Sequence, residues 1–265
     1  MRVLVVGDTH SEVRSWATVV TRAIATTTPD VILSVGDFGY WPDHPEGRLF
    51  LEVVERSVAT VGIDVLFIDG NHEQHDRLEA GPSPVAVGRR IYYIPRGARW
   101  CWEGVHFGAL GGAVSPDRDD RIEGWDWFAE EAIDQSDLQR LGGARLDVLV
   151  THDAPSWCPL EGMPFVSASV DRDTRRNRRF VDQAVDATCP ALVLHGHWHE
   201  AHCSEGDPSA DRPAVLGLAA EDAPPNAFLA LLEVAASGEG ADRAVTWAVA
   251  PPVQVKRVTE SEETP

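Results

Sequence analysis

The chain has 265 residues, enough to bury a full core in one or two domains, and a formal net charge of −19. So large an acidic excess disfavours nonspecific binding to long nucleic acids or to anionic membranes. Lys256 is the single lysine among 23 basic residues, a composition that suggests a high-GC source such as an actinobacterium or its phage. The four cysteines form no Cys-x-x-Cys pair, and no signal peptide or transmembrane run is visible, so we expect buried thiols in a reduced cytoplasm.

Short apolar runs alternate with amphipathic segments along the whole chain, which is typical of an α/β protein. The predicted strands lie at 2–7, 31–35, 63–68, 91–94, 105–110, 146–150, 191–194, 213–218, 227–234 and 244–249. The predicted helices lie at 11–27, about 47–60, 128–141 (ended by Gly142-Gly143) and about 172–187, with loops at 79–90 and 153–170. We expect the strands at 91–94 and 105–110 to begin a second sheet, and the last three strands to return to it.

Polar motifs follow five of these strands. They are Asp8-Thr9-His10, Gly36-Asp37, Gly70-Asn71-His72-Glu73, Thr151-His152-Asp153 and Gly196-His197-Trp198-His199. Residues just past strand ends lie where open α/β sheets place their active sites. Several histidines, two aspartates and one asparagine can hold two hard or borderline metal ions, and two-metal sites serve phosphoryl chemistry.

The order of these motifs resembles the calcineurin-like metallophosphoesterase superfamily, whose pattern is D-x-H, G-D, G-N-H-[E/D], H and G-H-x-H. All five blocks are present between positions 8 and 199. The resemblance implies a four-layer α/β/β/α sandwich with two mixed β-sheets. Because one site draws on positions 8 to 199, we expect a single metallophosphoesterase domain over 1–256, followed by an acidic, disordered tail at 257–265.

The same resemblance assigns two metal positions that share Asp37 and a bridging water. One takes Asp8, His10, Asp37 and His199, and the other takes Asp37, Asn71, His152 and His197. Mn²⁺ is the expected ion, with Fe or Zn²⁺ possible and Mg²⁺ less suited to so many imidazoles. His72 is not a ligand in the family; with Asp37 we expect it to be catalytic, protonating the leaving oxygen or stabilising its charge.

Each motif alone has a simpler interpretation. Asp8 taken singly is more often a helix N-cap, and His152 a histidine at the edge of the core; the five blocks together favour the metal site. His195 stays open between contact with the site and a packing role. Glu73, His75 and Asp76 are expected to support the ligands, whereas His44, His106 and His202 are expected to be ordinary surface or sheet-edge residues.

The second block departs from that of the Ser/Thr protein phosphatases of this superfamily. Those enzymes carry G-D-x-x-D-R-G, but here Tyr40 and Trp41 replace the second aspartate and the phosphate-binding arginine. This argues against protein phosphatase activity of that kind. The remaining pattern is similar to the branch that includes bacterial class III cyclic-nucleotide phosphodiesterases, small phosphodiesterases and phage enzymes.

A second motif begins at Gly111-Gly112-Ala113 and continues through Ser115, Asp117, Arg121, Trp125 and Trp127 to Glu130. It resembles a stretch of a bacterial and phage branch of the superfamily. Arg121 is a candidate for binding a phosphate oxygen, and Trp125 or Trp127 for stacking on a base. The alternative is a structural loop with an Asp117–Arg121 ion pair and buried tryptophans. Tyr40, Trp41 and Trp198 would add aromatic surface near the metals, which suits a nucleobase.

A run of arginines lies in the last predicted helix, where Arg172, Arg175, Arg176 and Arg179 share one face. In so acidic a chain this face is expected to meet carboxylates of the same protein or of a partner subunit, or else to guide a phosphorylated substrate.

The leading hypothesis is a dimetal phosphodiesterase that acts on small nucleotides, including cyclic ones. Its alternatives are a broad phosphomonoesterase or nuclease, and a non-catalytic scaffold of the same fold. The expected partner is a small phosphorylated substrate, a nucleotide above all; long nucleic acid and membrane are not expected, and a homo-oligomer stays open. The native substrate, the metal and the oligomeric state do not follow from the residues.

Overall fold

The computed structural model describes residues 1–162, 164–235, 246–247 and 256–257. Its strands are Arg2–Val6 (β1), Val31–Ser34 (β2), Asp64–Phe67 (β3), Val85–Ala86 (β4), Ile91–Tyr93 (β5), Arg99–Trp102 (β6), Val105–Leu110 (β7), Val148–Thr151 (β8), Leu192–His195 (β9), His202–Ser204 (β10), Ala214–Gly217 (β11), Leu229–Glu233 (β12), Thr246–Trp247 (β13) and Lys256–Arg257 (β14). The α-helices are Val13–Ser15 (α1), Thr21–Thr27 (α2), Pro45–Ala59 (α3), Gln135–Leu141 (α4), Ala168–Thr188 (α5) and Pro225–Phe228 (α6).

Two six-stranded mixed sheets form the centre of the protein. The first has the order β12-β1-β2-β3-β5-β4, and the second has the order β10-β11-β9-β8-β7-β6. In each sheet the four inner strands are parallel and the two edge strands are antiparallel to their neighbours. Parallel neighbours bring their carboxyl ends to one edge, which is where the polar motifs of the sequence emerge.

Three apolar clusters separate four layers. The central cluster joins the inner faces of both sheets, with Val5 and Leu33 on one side and Val150 and Leu194 on the other. A second cluster packs the outer face of the first sheet against the helices before and after β2. A third packs the second sheet under α5, where Val181 and its neighbours are buried. This confirms the α/β/β/α sandwich predicted from the sequence.

Several predicted strands were assigned to the wrong sheet. Strand β5 pairs with β3, so it extends the first sheet and does not begin the second. Strand β12 pairs with β1, so only β11 of the last three predicted strands returns to the second sheet. Strand β13 pairs with β14 instead. A buried apolar run looks the same in either sheet, so the pattern could not assign these strands.

Other differences concern boundaries. The predicted helix at 128–141 is a 3₁₀ turn at Ala129–Glu131 followed by α4, because Asp134 caps α4 with bonds to Ser136 N and Asp137 N. A π-helical segment, Trp16–Val20, interrupts the predicted helix at 11–27. The short strands β4, β6 and β10 were missed. Arg257, the expected start of the tail, lies in β14, and positions 258–265 fall outside the described residues.

No helix in the described part of the chain combines the length and apolar character that a bilayer span requires.

A buried ion pair anchors the loop that leads to the third polar motif. The Arg96 guanidinium lies 2.6 Å from Asp69 Oδ2 and donates to the backbone carbonyls of Glu130, Glu131 and Ala132. Both members of the pair are at most 9 % exposed. Breaking such a pair from one side leaves an uncompensated buried charge.

We therefore expect Arg96→Met to lower the free energy of unfolding by about 3–5 kcal/mol. The matched control is Arg56→Met, because Arg56 forms an exposed pair with Glu52 at 3.1 Å that contributes about 0–1 kcal/mol. Urea unfolding of both variants in one buffer measures the difference. Equal losses in the two variants would contradict the anchoring role.

Candidate metal centre

The carboxyl ends of five inner strands bring seven donor side chains together. Asp8 and His10 follow β1, Asp37 follows β2, and Asn71 follows β3. His152 follows β8, and His197 and His199 follow β9, so both sheets contribute. Donor atoms of Asp8, His10 and His199 lie within 4.8 Å of one another, as do those of Asp37, His152 and His197. The seven residues predicted as ligands are therefore brought to one place.

The Asp37 carboxylate lies at the centre of this cluster and is 1 % exposed. Its Oδ2 is 3.2 Å from His10 Nε2 and 3.3 Å from His152 Nε2. Its Oδ1 accepts from the backbone N–H of His72 at 2.7 Å. One carboxylate thus faces imidazoles from both sheets, the position that a ligand shared by two ions requires.

The hydrogen bonds behind the two imidazoles fix which ring nitrogen carries the proton. His10 Nδ1 lies 2.9 Å from Glu221 Oε2, and His152 Nδ1 lies 2.9 Å from the carbonyl oxygen of Val35. Because these oxygens only accept, each Nδ1 is the donor, and in a neutral ring Nε2 is left with a lone pair. A neutral Nε2 would direct its lone pair at Asp37 Oδ2, which is repulsive, so each of these contacts requires either a ring proton or a metal cation.

The same conflict recurs around the neighbouring donors. Asn71 Oδ1 lies 3.2 Å from His152 Nε2, and the Asn71 amide nitrogen donates to Ser115 Oγ at 3.1 Å. Within the described residues, the buried atoms Asp8 Oδ1 and His197 Nε2 have no hydrogen-bond partner. Buried polar atoms without partners are costly. Carboxylate, amide and imidazole donors converging in this way fit divalent metal ions.

The ionisation of the cluster leads to the same conclusion. Burial lowers the pKa of His10, but hydrogen bonds to Asp37 and Glu221 outweigh it and raise that pKa to about 11. Burial also lowers the pKa of His152, but the charge of Asp37 outweighs it and raises that pKa to about 10. Burial raises the pKa of Asp8 to about 7. A proton held this firmly marks a place where a metal cation is favoured.

Four of the predicted ligands adopt the left-handed backbone conformation, which residues other than glycine rarely take. The φ angles are 43° at His10, 44° at Asp37, 68° at His197 and 52° at His199. Such conformations cost of order 1–3 kcal/mol each and cluster at functional sites. The turns after β1, β2 and β9 therefore hold strained backbone conformations that place the donor side chains.

Glycine at position 70 gives the donors room to approach one another. A Cβ there would collide with the Asp37 side chain and with His152 Nε2.

We expect Gly70→Ala to reduce bound metal and activity together, since overpacking typically costs about 1–3 kcal/mol. Gly143→Ala is the control, because its Cβ would meet its nearest atom at 3.6 Å. Unchanged metal content in Gly70→Ala, measured by elemental analysis, would contradict this packing.

Three supporting residues were missed by sequence reasoning. Glu221, after β11, orients His10. Ser115 receives the Asn71 amide and in turn donates its hydroxyl to Glu131 at 2.6 Å. Ser115 belongs to the second motif, which ends at Glu130, one position before Glu131, and this motif was the only signal for the pair. Nothing in the pattern marked Glu221.

Residues expected to support the ligands do so in part. Glu73 is fully buried and accepts from the backbone N–H groups of Gly39 and Gly70, which joins the second and third motifs. His195 contacts neither predicted metal position and instead lies against His202, at 3.3 Å between their Nε2 atoms. His202 was expected to be an ordinary sheet-edge residue, and this contact gives it a partner.

Arg121 and His72 lie in direct contact beside the cluster. The Nη2 atom of Arg121 lies 2.8 Å from His72 Nδ1 and 2.9 Å from His72 Nε2, so the guanidinium covers the ring. The same Nη2 atom lies 2.9 Å from Asp117 Oδ2. Both parts of the sequence-based alternative are thus present, a structural ion pair and a cation at the site. Burial, reinforced by Arg121, lowers the pKa of His72 to about 4.

The candidate substrate aromatics fall into different environments. Trp41 donates its indole N–H to the His72 carbonyl at 2.7 Å. Trp125 is 61 % exposed, and its ring lies 4.9 Å from that of His44, which in turn packs on Trp41. Tyr40 is buried in the core against Phe67, so the structure does not bring it to the metal cluster.

The arginine-rich helix differs from its prediction in one respect. Helix α5 begins at Ala168 under a Ser167 cap, so its first turn holds Asp171 and the arginines follow. Arg172, Arg175, Arg176 and Arg179 are exposed, and Arg175 meets a carboxylate of the same protein, Asp171, at 3.0 Å, whereas the intervening Arg178 is buried. Its guanidinium donates to the carbonyls of Ala154, Pro155 and Cys158, which fixes the loop after β8.

The family model of the calcineurin-like phosphoesterases matches residues 1–201, which includes every motif of the cluster. The chain belongs to this family. Membership of the calcineurin-like phosphoesterase family indicates metal-dependent hydrolysis of phosphoesters in general. The donor groups described above are those that such chemistry needs. No curated protein matches the chain.

Solved structures similar to this calcineurin-like phosphoesterase are distant in sequence. A conserved uncharacterised protein and predicted phosphoesterase from Streptococcus pneumoniae TIGR4 is 12 % identical, with 97 % of each chain covered and a TM-score of 0.37. The sulfate thiohydrolase SoxB of Thermus thermophilus, solved with glycerol, is 12 % identical with a TM-score of 0.43; the match covers 96 % of this chain but 43 % of that one. A hypothetical protein, also from Thermus thermophilus, is 15 % identical, with 83 % of this chain and 75 % of that one covered and a TM-score of 0.38.

Proposed function

We propose that the protein hydrolyses phosphodiester bonds of small nucleotides, including cyclic nucleotides, at a two-metal centre. The observation that carries this is the convergence of the Nε2 atoms of His10 and His152 on the Asp37 carboxylate. The proposal is also supported by the family match, because the calcineurin-like family consists of phosphoesterases. Mn²⁺ is the ion we favour, because the donors mix imidazole, carboxylate and amide oxygen without a thiolate, and Fe or Zn²⁺ are the alternatives.

Two divalent ions in such a site supply a deprotonated water as nucleophile and neutralise charge on the phosphate. The protein residues have distinct tasks around them. Asp37 lies between the two sets of donors, and Asn71 adds a neutral oxygen. His72 is proposed to donate a hydrogen bond to the leaving oxygen, because its lowered pKa keeps it neutral with one ring N–H near pH 7. Arg121, in contact with that ring, is proposed to contact a phosphate oxygen.

A preference for diesters is supported by what replaces the protein-phosphatase residues. Trp41 occupies the place of a phosphate-binding arginine, and its indole N–H is already engaged by the His72 carbonyl. Without that arginine a dianionic monoester loses a charge-assisted contact of about 1.5–3 kcal/mol. A diester carries a single negative charge and depends less on the contact. Trp125 presents exposed aromatic surface on which a base could stack.

We therefore expect kcat/KM with Mn²⁺ at neutral pH to be higher for bis-p-nitrophenyl phosphate than for p-nitrophenyl phosphate.

A second prediction concerns the stacking surface. Trp125→Ala should lower kcat/KM for cyclic nucleotides about 5–150-fold, as expected for a lost stacking contact of about 1–3 kcal/mol, and leave kcat/KM for bis-p-nitrophenyl phosphate nearly unchanged. Trp102→Ala is the control, since that side chain packs at the distant strand β6.

The main rival is a phosphomonoesterase in which Arg121 serves as the phosphate clamp. A clear monoester preference that vanishes in Arg121→Ala would establish that rival and overturn the diester proposal. Adding DNA to the same substrate panel tests the nuclease alternative, which the net charge of −19 disfavours. If the protein holds both metals but hydrolyses none of these phosphoesters, the non-catalytic scaffold is the alternative that remains.

A further inference from the structure

A second group of metal-type donors lies outside the candidate metal centre. The side chains of Cys158, His195 and His202 each offer one donor atom, and these atoms lie within 4.8 Å of one another. Cys158 Sγ is 2.9 Å from His202 Nε2, and His202 Nε2 is 3.3 Å from His195 Nε2. None of the three belongs to the seven ligands described above, and the family motifs do not include them.

The second sheet is built so that the two histidines converge. In the strand register, His195 of β9 lies opposite Gly217 of β11, and Gly217 lies opposite His202 of β10. Residues in one row across neighbouring strands project from the same face. A Cβ at Gly217 would collide with the His202 imidazole and would lie in tight contact, 3.0 Å, with that of His195. The glycine between them therefore allows two rings, separated by a whole strand, to meet with their centroids 4.9 Å apart.

The loop after β8 brings the sulfur to the same point. The buried Arg178 guanidinium holds this loop through the carbonyls of Pro155 and Cys158. The Cys158 side chain is 4 % exposed and faces the layer between the second sheet and α5. Burial raises the pKa of its thiol to about 11, which argues against a reactive thiolate at this position.

The tautomer of His195 leaves its inward nitrogen free to coordinate. His195 Nδ1 lies 2.9 Å from the carbonyl oxygen of Gly196, so Nδ1 donates and Nε2 carries the lone pair toward His202 and Cys158. A histidine whose outer nitrogen is held by a carbonyl is the usual arrangement of a metal ligand. One sulfur and two imidazole nitrogens form a donor set that suits Zn²⁺ and binds Mg²⁺ and Mn²⁺ poorly.

We propose that Cys158, His195 and His202 form a mononuclear site for a thiophilic transition metal, Zn²⁺ above all, separate from the dinuclear centre. Binding replaces the thiol proton by the metal, so one proton leaves as the metal–sulfur bond forms. The ion would join the loop after β8 to strands β9 and β10, directly before the Gly196-His197 turn. Its role is therefore to hold the loop and the sheet together.

Cobalt is the probe that separates this site from the dinuclear centre. Thiolate coordination to Co²⁺ gives a charge-transfer band in the near ultraviolet, and the seven ligands of the dinuclear centre include no thiolate. We expect the band on adding Co²⁺ to the full-length protein, and its loss in both Cys158→Ser and His202→Phe. The control is Cys203→Ser, since Cys203 is the residue next to His202 in β10 and is exposed.

Metal analysis after reconstitution with Zn²⁺ provides the second readout. Cys158→Ser and His202→Phe should each hold one Zn²⁺ fewer per chain than the parent, and Cys203→Ser the same number. Phosphoesterase activity with Mn²⁺ should change less than about threefold in Cys158→Ser, which shows that the variant is folded. Absence of the cobalt band in the parent protein, or a band that survives Cys158→Ser, would overturn the proposal.

Discussion

Replacing Asp37 by asparagine is expected to abolish the dinuclear centre. The substitution removes the charge that faces His10 and His152 at 3.2 and 3.3 Å, in a site where Asp37 is 1 % exposed. The loss of one partner of a buried charge group typically costs about 3–5 kcal/mol, which corresponds to roughly 10²- to 5 × 10³-fold in metal affinity. Activity measured at a fixed Mn²⁺ concentration should fall by at least that factor.

Asp43→Asn is the matched control for this experiment. Asp43 lies six residues further along the chain and forms an exposed ion pair with Arg77 at 2.6 Å. Because exposed pairs contribute little, its loss should leave both metal content and activity nearly unchanged. Elemental analysis that finds two bound metals and full activity in Asp37→Asn would contradict the assignment of Asp37 as the shared ligand.

Replacing His72 by alanine is expected to keep both metals and lower kcat by roughly 10²–10⁴, the range typical of lost acid–base assistance. Its ring is covered by Arg121, and its backbone N–H already donates to Asp37 Oδ1. The defect should be smaller with bis-p-nitrophenyl phosphate than with a cyclic nucleotide, because p-nitrophenolate leaves without protonation.

His44→Ala serves as the comparison for His72→Ala. His44 packs between Trp41 and Trp125 and is not among the donor groups of the cluster. Metal content decides between two roles, since donor atoms of His10, Asp37 and His72 also lie within 4.8 Å of one another. If His72→Ala loses a metal ion while His44→Ala keeps both, His72 is a ligand and its proposed role is wrong.

The sequence was most informative where chemistry restricts the choice of residue. The motifs of Asp, His and Asn after apolar runs indicated a metal site at strand ends, because few residue types can hold a metal. The sandwich and the full set of residues around Asp37 were predicted from the resemblance of these motifs to a known family. The sheet that contains β5 and β12 was assigned wrongly, because an apolar strand carries no mark of its partner.

Contacts between distant segments were beyond the reach of the pattern. Glu221 reaches His10 from 211 positions away, and nothing around it in the sequence points to that contact. Cys158, His195 and His202 belong to three separate segments, and only the register that places Gly217 between the histidines brings them together. Tyr40 was an aromatic residue near a motif, yet packing against Phe67 placed it in the core.

The most direct test of the account is a crystal structure of the Mn²⁺-reconstituted protein with anomalous scattering measured at the manganese edge. The account predicts two manganese peaks among Asp8, His10, Asp37, Asn71, His152, His197 and His199, with Asp37 contacting both ions, and none at Cys158. A single manganese ion in this cluster, or ions held by residues outside these seven, would contradict it.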